Sequence, residues 1–148
     1  MTAYELRPLG DALGTEMLSV DLSKPLEEET FAAIKRAFAD HPVLVFREQN
    51  LGPAELAAFG RRFGTPRKHA LSKYRHADHE EVSWLTNVEP DGKVDWYGVK
   101  RATCWHSDST FEPALPVLAI LHARRCRPKR AGQCSPTCGR LLMRSQRR

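Results

Sequence analysis

Long hydrophobic runs are missing from this sequence. The longest, PVLVF at 42–46 and LPVLAIL at 115–121, fall far short of the about 20 apolar residues a bilayer-spanning helix needs. No membrane association is therefore expected. The N-terminus lacks a basic stretch followed by an apolar one, so no secretion signal is expected and a cytoplasmic location follows by default. Internal repeats, heptads and glycine-rich phosphate loops are also absent, which argues against solenoids, coiled coils and nucleotide-binding loops. Two further shortages are local: no histidine follows His122, and residues 124–148 hold no Asp or Glu.

The lack of acids divides the chain. Its net charge is +5, yet residues 124–148 carry 9 basic residues and no acid, while residues 1–123 carry 14 basic and 18 acidic residues. Cys126, Cys134 and Cys138, three of the four cysteines, lie in the same basic segment. The expected organisation is one domain over 1–123 and a basic, disordered tail over 124–148. Clustered cations can neutralise phosphates, so a non-enzymatic, basic-tailed protein that binds nucleic acid or another polyanion is an alternative function class. The tail has no aromatic residue to stack on bases, which argues against nucleic acid as the partner. Three cysteines without a fourth ligand match no common structural zinc site.

What is present reads as α+β, mainly β, with two N-terminal helices. Residues 4–22 show short apolar alternations broken by Gly10 and Gly14, the pattern of two short strands and a turn. Residues 23–42 predict a helix, with Pro25 in its first turn, Glu27, Glu28 and Glu29 at the positive end of its dipole, and Leu26, Phe31, Ile34 and Phe38 along one face. VLVFRE at 43–48 predicts a buried strand. Residues 52–64 predict a second helix with Pro53 near its start, Leu56, Phe59 and Phe63 inward, and Gly64 at its C-terminal cap. The His-rich stretch 65–81 has no clear period. Residues 82–90 predict a strand running into a turn, 91–104 a loop with Trp96 and Tyr97, and 117–123 a strong strand. Long loops between strands are where function concentrates.

WHSDSTF at 105–111 is the stretch that carries chemistry. On an extended segment, His106 and Asp108 point to one face, offering an imidazole nitrogen and a carboxylate together. That donor pair suits a non-haem Fe(II) centre, where two His and one carboxylate leave positions open for a co-substrate and dioxygen. On spacing alone, Asp108 capping its own backbone in a turn is the competing reading.

The surrounding sequence resembles the TauD/TfdA family of Fe(II)/2-oxoglutarate-dependent dioxygenases. WHSDSTFEPALPVLAILHA looks like the family's iron-binding segment and the core strand after it. LRPLGDALGTEMLSVDLSKPL looks like its opening hairpin, and HPVLVFREQNLGPAELAAFGRRFGTP like its strand, helix and FG turn. The likeness covers about 1–123.

It implies an incomplete double-stranded β-helix (jelly roll), with Fe(II) as cofactor and 2-oxoglutarate as co-substrate. The substrate class would be a small organic acid such as a sulfonate or an aryloxy acid. His106 and Asp108 would be two iron ligands, His69 and Tyr74 would lie on the substrate side, and Asn87 would face the co-substrate. His76 and His79 read as surface residues, Trp105 and Phe111 as core. The family also uses a downstream His and an Arg for 2-oxoglutarate. His122 does not match that His, and no tail arginine lies in a matching motif. The resemblance leaves the oligomeric state open.

Back-translated and shifted by two nucleotides, CGRLLMRSQR is compatible with MRAAFDALPE, which resembles a downstream family motif. The shift also accounts for the lost acids and the clustered Arg and Cys. The expectation is therefore that 124–148 is read out of frame, and that the chain is truncated and weakly active or inactive.

Overall fold

The computed structural model describes residues 4–10, 14–89, 91–100, 116–124 and 140–145, the last of these as backbone only. In chain order the strands are β1 (Leu6–Pro8), β2 (Thr15–Met17), β3 (Val43–Phe46), β4 (Leu118–Ala123) and β5 (Arg140–Ser145). The helices are α1 (Glu28–Asp40), α2 (Pro53–Arg61) and α3 (Trp96–Lys100), with a 3-10 turn at Ser72–Tyr74.

The five strands form one mixed sheet in the order β1-β2-β3-β5-β4. β1 and β2 are an antiparallel hairpin, Leu6 opposite Met17. β2 and β3 run parallel, Thr15 beside Leu44, so the chain must cross over between them, and α1 makes that connection. β5 pairs antiparallel with both β3 and β4. The expected jelly roll is met only as a mixed sheet with few helices among the described residues.

The core lies where this sheet meets the two longer helices. Phe31, Ile34 and Ala37 recur at helical spacing and are buried on α1. Ile34 and Ala37 meet Met17, Leu44 and Phe46 of the sheet and Phe59 of α2, with Leu118 and Ile120 packed alongside. An aromatic ladder joins the elements edge to face: Phe46–Phe59 at 6.4 Å, Phe59–Phe63 at 5.3 Å and Phe31–Phe63 at 4.9 Å. Arg62 lies 4.0 Å above the Phe31 ring and donates to the Leu26 carbonyl at 2.7 Å, fastening α2 to the entry of α1.

One charged group of the sheet is buried on the face opposite Met17. Glu16 of β2 is nearly inaccessible and takes Arg7 at 2.7 Å and Arg47 at 3.0 Å. Burial is the largest single influence on its carboxyl and works against the charge. The two guanidinium groups outweigh it together and hold the carboxyl below the usual range.

Five expectations need correction. α2 ends at Arg61 with Arg62 as its C-cap, so Gly64 lies beyond the helix. α1 begins at Glu28, so Pro25 lies outside it. The reason is local: Asp21 accepts from the Ser23 amide at 3.0 Å and hydroxyl at 2.6 Å and pairs with Lys24, which commits 21–24 to a turn. Of the strand expected over 82–90, the described residues 82–89 form none. The alternation there finds no continuous partner among the described residues, and only isolated bridges form, Arg75 to Ser83 and Val88 to Val94. The expected loop 91–104 contains α3, whose start Asp95 caps by accepting from the Tyr97 amide at 3.1 Å. Finally, residues 140–145, expected within a disordered tail, form β5 and supply backbone partners to two strands at once.

Candidate functional site

Residues 69–97 bring three of the sequence-predicted site residues around one carboxylate. The 3-10 turn follows Leu71, and it turns Tyr74 inward to 3% exposure. There the Tyr74 hydroxyl donates to Asp95 Oδ2 at 2.6 Å. The Tyr74 ring stacks on Tyr97 at 6.0 Å and meets the His69 ring edge-on at 5.4 Å. Lys73 Nζ lies 4.7 Å from the Tyr74 ring centre, 3.0 Å from Glu89 and 3.9 Å from Asp95.

His69 is half-buried. Its Nδ1 accepts from the Leu71 amide at 3.1 Å and lies 3.2 Å from the Leu71 carbonyl. Arg75 donates to the His69 carbonyl at 2.6 Å and steadies the backbone there. Asn87 has an exposed side chain, and its carbonyl accepts from the Asp95 amide at 2.9 Å. Its main chain, rather than its amide group, thus ties it to this cluster.

Asp95 is the residue the sequence reading missed. Its carboxyl is held below the usual carboxylate range, first by the Tyr74 hydroxyl, against the opposing effect of burial, and then by the Gly98 amide, Lys73 and the Tyr97 amide. The sequence signal was present: an Asp placed immediately before WYGVK is an N-cap signature. Gly98 makes room for the arrangement. A Cβ there would sit 2.1 Å from the Thr86 carbonyl oxygen and 3.0 Å from Asp95 Oδ2.

The remaining predicted residues fall elsewhere. His106, Asp108, Trp105 and Phe111 lie in 101–115, outside the described residues. Among the described residues no three His, Cys, Asp or Glu side chains group as a metal site. His106 and Asp108 offer one imidazole and one carboxylate, donor types that would suit Fe(II). His122 Nε2 is engaged with the Gln49 carbonyl at 3.1 Å. His76 and His79, expected at the surface, are half-buried with rings 5.6 Å apart. No helix among the described residues is long and apolar enough to cross a membrane.

Comparison with known proteins agrees with the order of these elements. The family model for "Taurine catabolism dioxygenase TauD, TfdA family" matches residues 5–135, reaching past the composition break at residue 124. An alkylsulfatase of Acinetobacter baylyi is 34% identical over 118 residues, covering 79% of this chain and 34% of that protein. An (S)-phenoxypropionate/alpha-ketoglutarate-dioxygenase of Delftia acidovorans is 29% identical over 132 residues, covering 82% of this chain and 42% of that protein. The crystal structure of AAD-2 in complex with Mn(II) and N-oxalylglycine shares the fold, with a TM-score of 0.65 at 24% identity over 86% of this chain and 44% of that one. The chain spans less than half the length of the curated relatives it matches. With the family model matched over most of its length, the chain belongs to the TauD/TfdA family.

Proposed function

We propose that this chain contributes to an Fe(II)/2-oxoglutarate-dependent dioxygenase that oxidises a small organic anion. The observation that carries the reading is the family match over 5–135, within which His106 and Asp108 stand in the WHSD stretch. The same match favours an enzyme over the basic-tailed polyanion binder.

In this reading His106 supplies an imidazole nitrogen and Asp108 a carboxylate oxygen to the metal. When bound, Fe(II) supplies oxidative decarboxylation chemistry: 2-oxoglutarate and dioxygen give succinate and CO2 as the substrate gains one oxygen atom. His69 sits on the substrate side. With Nδ1 engaged by the Leu71 backbone, the Nε2 edge of the ring is the part left to meet an anionic head group. Tyr74 backs His69 with its ring, its hydroxyl being committed to Asp95. Asn87 lies toward the co-substrate.

The substrate class is a sulfate ester, sulfonate or aryloxy acid, consistent with relatives named for alkyl sulfates and phenoxypropionate. The domain over 1–123 is part of a jelly roll located in the cytoplasm. The out-of-frame origin of 124–148 belongs to the same reading, and the nucleotide sequence of the gene tests it.

The functional test is anaerobic titration with Fe(II) and 2-oxoglutarate, followed by visible charge-transfer absorption. The band is expected with the intact chain and lost in His106→Ala and Asp108→Ala. An unchanged band in both variants would overturn the assignment.

A further inference from the structure

Asp95 is buried at 3% exposure, yet it contacts neither the helix–sheet core nor the Arg7–Glu16–Arg47 cluster. Its carboxylate lies between the 3-10 turn and α3, with Lys73 Nζ 3.9 Å from Oδ1. Oδ1 takes the Tyr97 amide at 3.1 Å and caps α3, whereas Oδ2 takes the Tyr74 hydroxyl at 2.6 Å. Its own amide reaches the Asn87 carbonyl. The carboxylate therefore pins the 3-10 turn to α3, while the main chain of the same residue holds the Asn87 segment. A buried carboxylate with several donors is stiff, because losing any one donor leaves charge poorly solvated. Gly98 keeps the space for it, since a Cβ at that position would collide with the Thr86 carbonyl and crowd Oδ2.

We infer that Asp95 is a positioning residue for His69: through the Tyr74 hydroxyl it fixes the ring against which the imidazole rests, and so fixes the Nε2 edge presented to an organic anion. This rests on the substrate-side reading of His69. The chain of contacts is short and directional. Asp95 holds the far end of Tyr74, the ring face of Tyr74 is packed against Tyr97, and His69 meets the remaining ring surface at 5.4 Å and 74°. The Leu71 amide holds the other side of the imidazole. Removing the carboxylate takes from the Tyr74 hydroxyl its acceptor at 2.6 Å and loosens the ring that supports the histidine.

The experiment uses the intact chain with ¹⁵N-labelled histidine. Long-range ¹H–¹⁵N spectra report the tautomer and shift of His69, with His122 as an internal control because it bonds to Gln49 on a separate part of the fold. Phenoxyacetate serves as the anionic probe. Asp95→Ala and Tyr74→Phe should each shift the His69 signals and weaken phenoxyacetate binding by about tenfold, the worth of one lost hydrogen bond to a charged group. The double variant should be no worse than either single one. Asp95→Asn keeps an acceptor oxygen and should retain most of the affinity.

Unchanged His69 signals in both Asp95→Ala and Tyr74→Phe would overturn the inference, as would His122 signals that move as far as those of His69. Phenoxyacetate binding that is absent, or insensitive to His69→Ala, would overturn the substrate-side reading instead, and the spectra of the unliganded chain tell the two failures apart.

Discussion

His122 Nε2 lies 3.1 Å from the carbonyl oxygen of Gln49, joining β4 to the loop that follows β3. A carbonyl cannot donate, so Nε2 carries the proton and His122 serves as a strut. The Gln49 side chain continues the connection, accepting from the Leu22 amide at 2.8 Å and donating to the Val20 carbonyl at 2.8 Å. His122→Ala should therefore cost about 1 kcal/mol of stability, the usual net worth of such a bond, and leave Fe(II) affinity unchanged. Urea unfolding and metal titration of the same sample check both halves. Metal affinity falling with unchanged stability would make His122 a ligand after all.

Acid should destabilise the fold in a defined window. The Glu16 carboxyl is held low by Arg7 and Arg47 despite its burial. The Asp21 carboxyl is pulled down to about 2 by Lys24 and by the hydroxyl and amide of Ser23. A carboxyl whose value is lower in the folded than in the unfolded chain stabilises above its unfolded value and loses that contribution as pH falls toward its folded one. The urea midpoint should thus be flat above about pH 5 and drop between about pH 4 and 2, where unfolded carboxyls titrate first. Glu16→Gln should flatten part of that drop. A midpoint that rises in acid, or a slope indifferent to Glu16→Gln, would contradict the assignment.

The parts legible in the sequence are those with a period and a burial face. Phe31, Ile34 and Phe38 announce α1, and Leu56 and Phe59 announce α2, because a helix must turn one stripe to the core. The β-branched runs before Phe46 and His122 announce β3 and β4. Residues 82–90 show why alternation is insufficient. Val82 is buried, but Trp84, Leu85 and Val88 are exposed, for a strand exists only where a neighbour completes its ladder. β5 was invisible for the opposite reason: its pairing to β3 and β4 is a property of their backbones. Asp95 was missed because its role depends on Tyr74, which is distant in sequence. His106 and Asp108 stand in a stretch legible as a motif, and both lie outside the described residues.

Gly64 offers a test of backbone conformation separated from packing. Its φ is +140°, a value side-chain-bearing residues rarely adopt, and no atom lies within 4 Å of the place a Cβ would take. Gly64→Ala should then cost about 1–3 kcal/mol through backbone strain alone. Gly10 supplies the control, having equal space and no such φ. Gly10→Ala should be neutral or slightly stabilising, through reduced freedom of the unfolded chain. Equal effects at the two positions in thermal unfolding would show that strain is not what separates them.

Phe46 and Trp96 are both large aromatics, and the fold gives them opposite weights. Phe46 has 0% exposure, lies on the central strand β3 and meets Phe59 edge to face, with Leu44 and Ile34 equally buried in the same core. Trp96 opens α3 with 66% of its surface exposed. Truncating a buried aromatic loses transfer free energy and leaves a cavity that a close-packed core closes only in part, so Phe46→Ala should cost about 3–5 kcal/mol. Trp96→Ala removes surface that water already reaches and should stay within about 0.5 kcal/mol. Denaturant midpoints of the two variants against the parent check the contrast. A large loss at Trp96 would mean that α3 is covered in solution by a surface absent from the described residues. In that case Trp96→Ala should also change the oligomeric state seen by sedimentation.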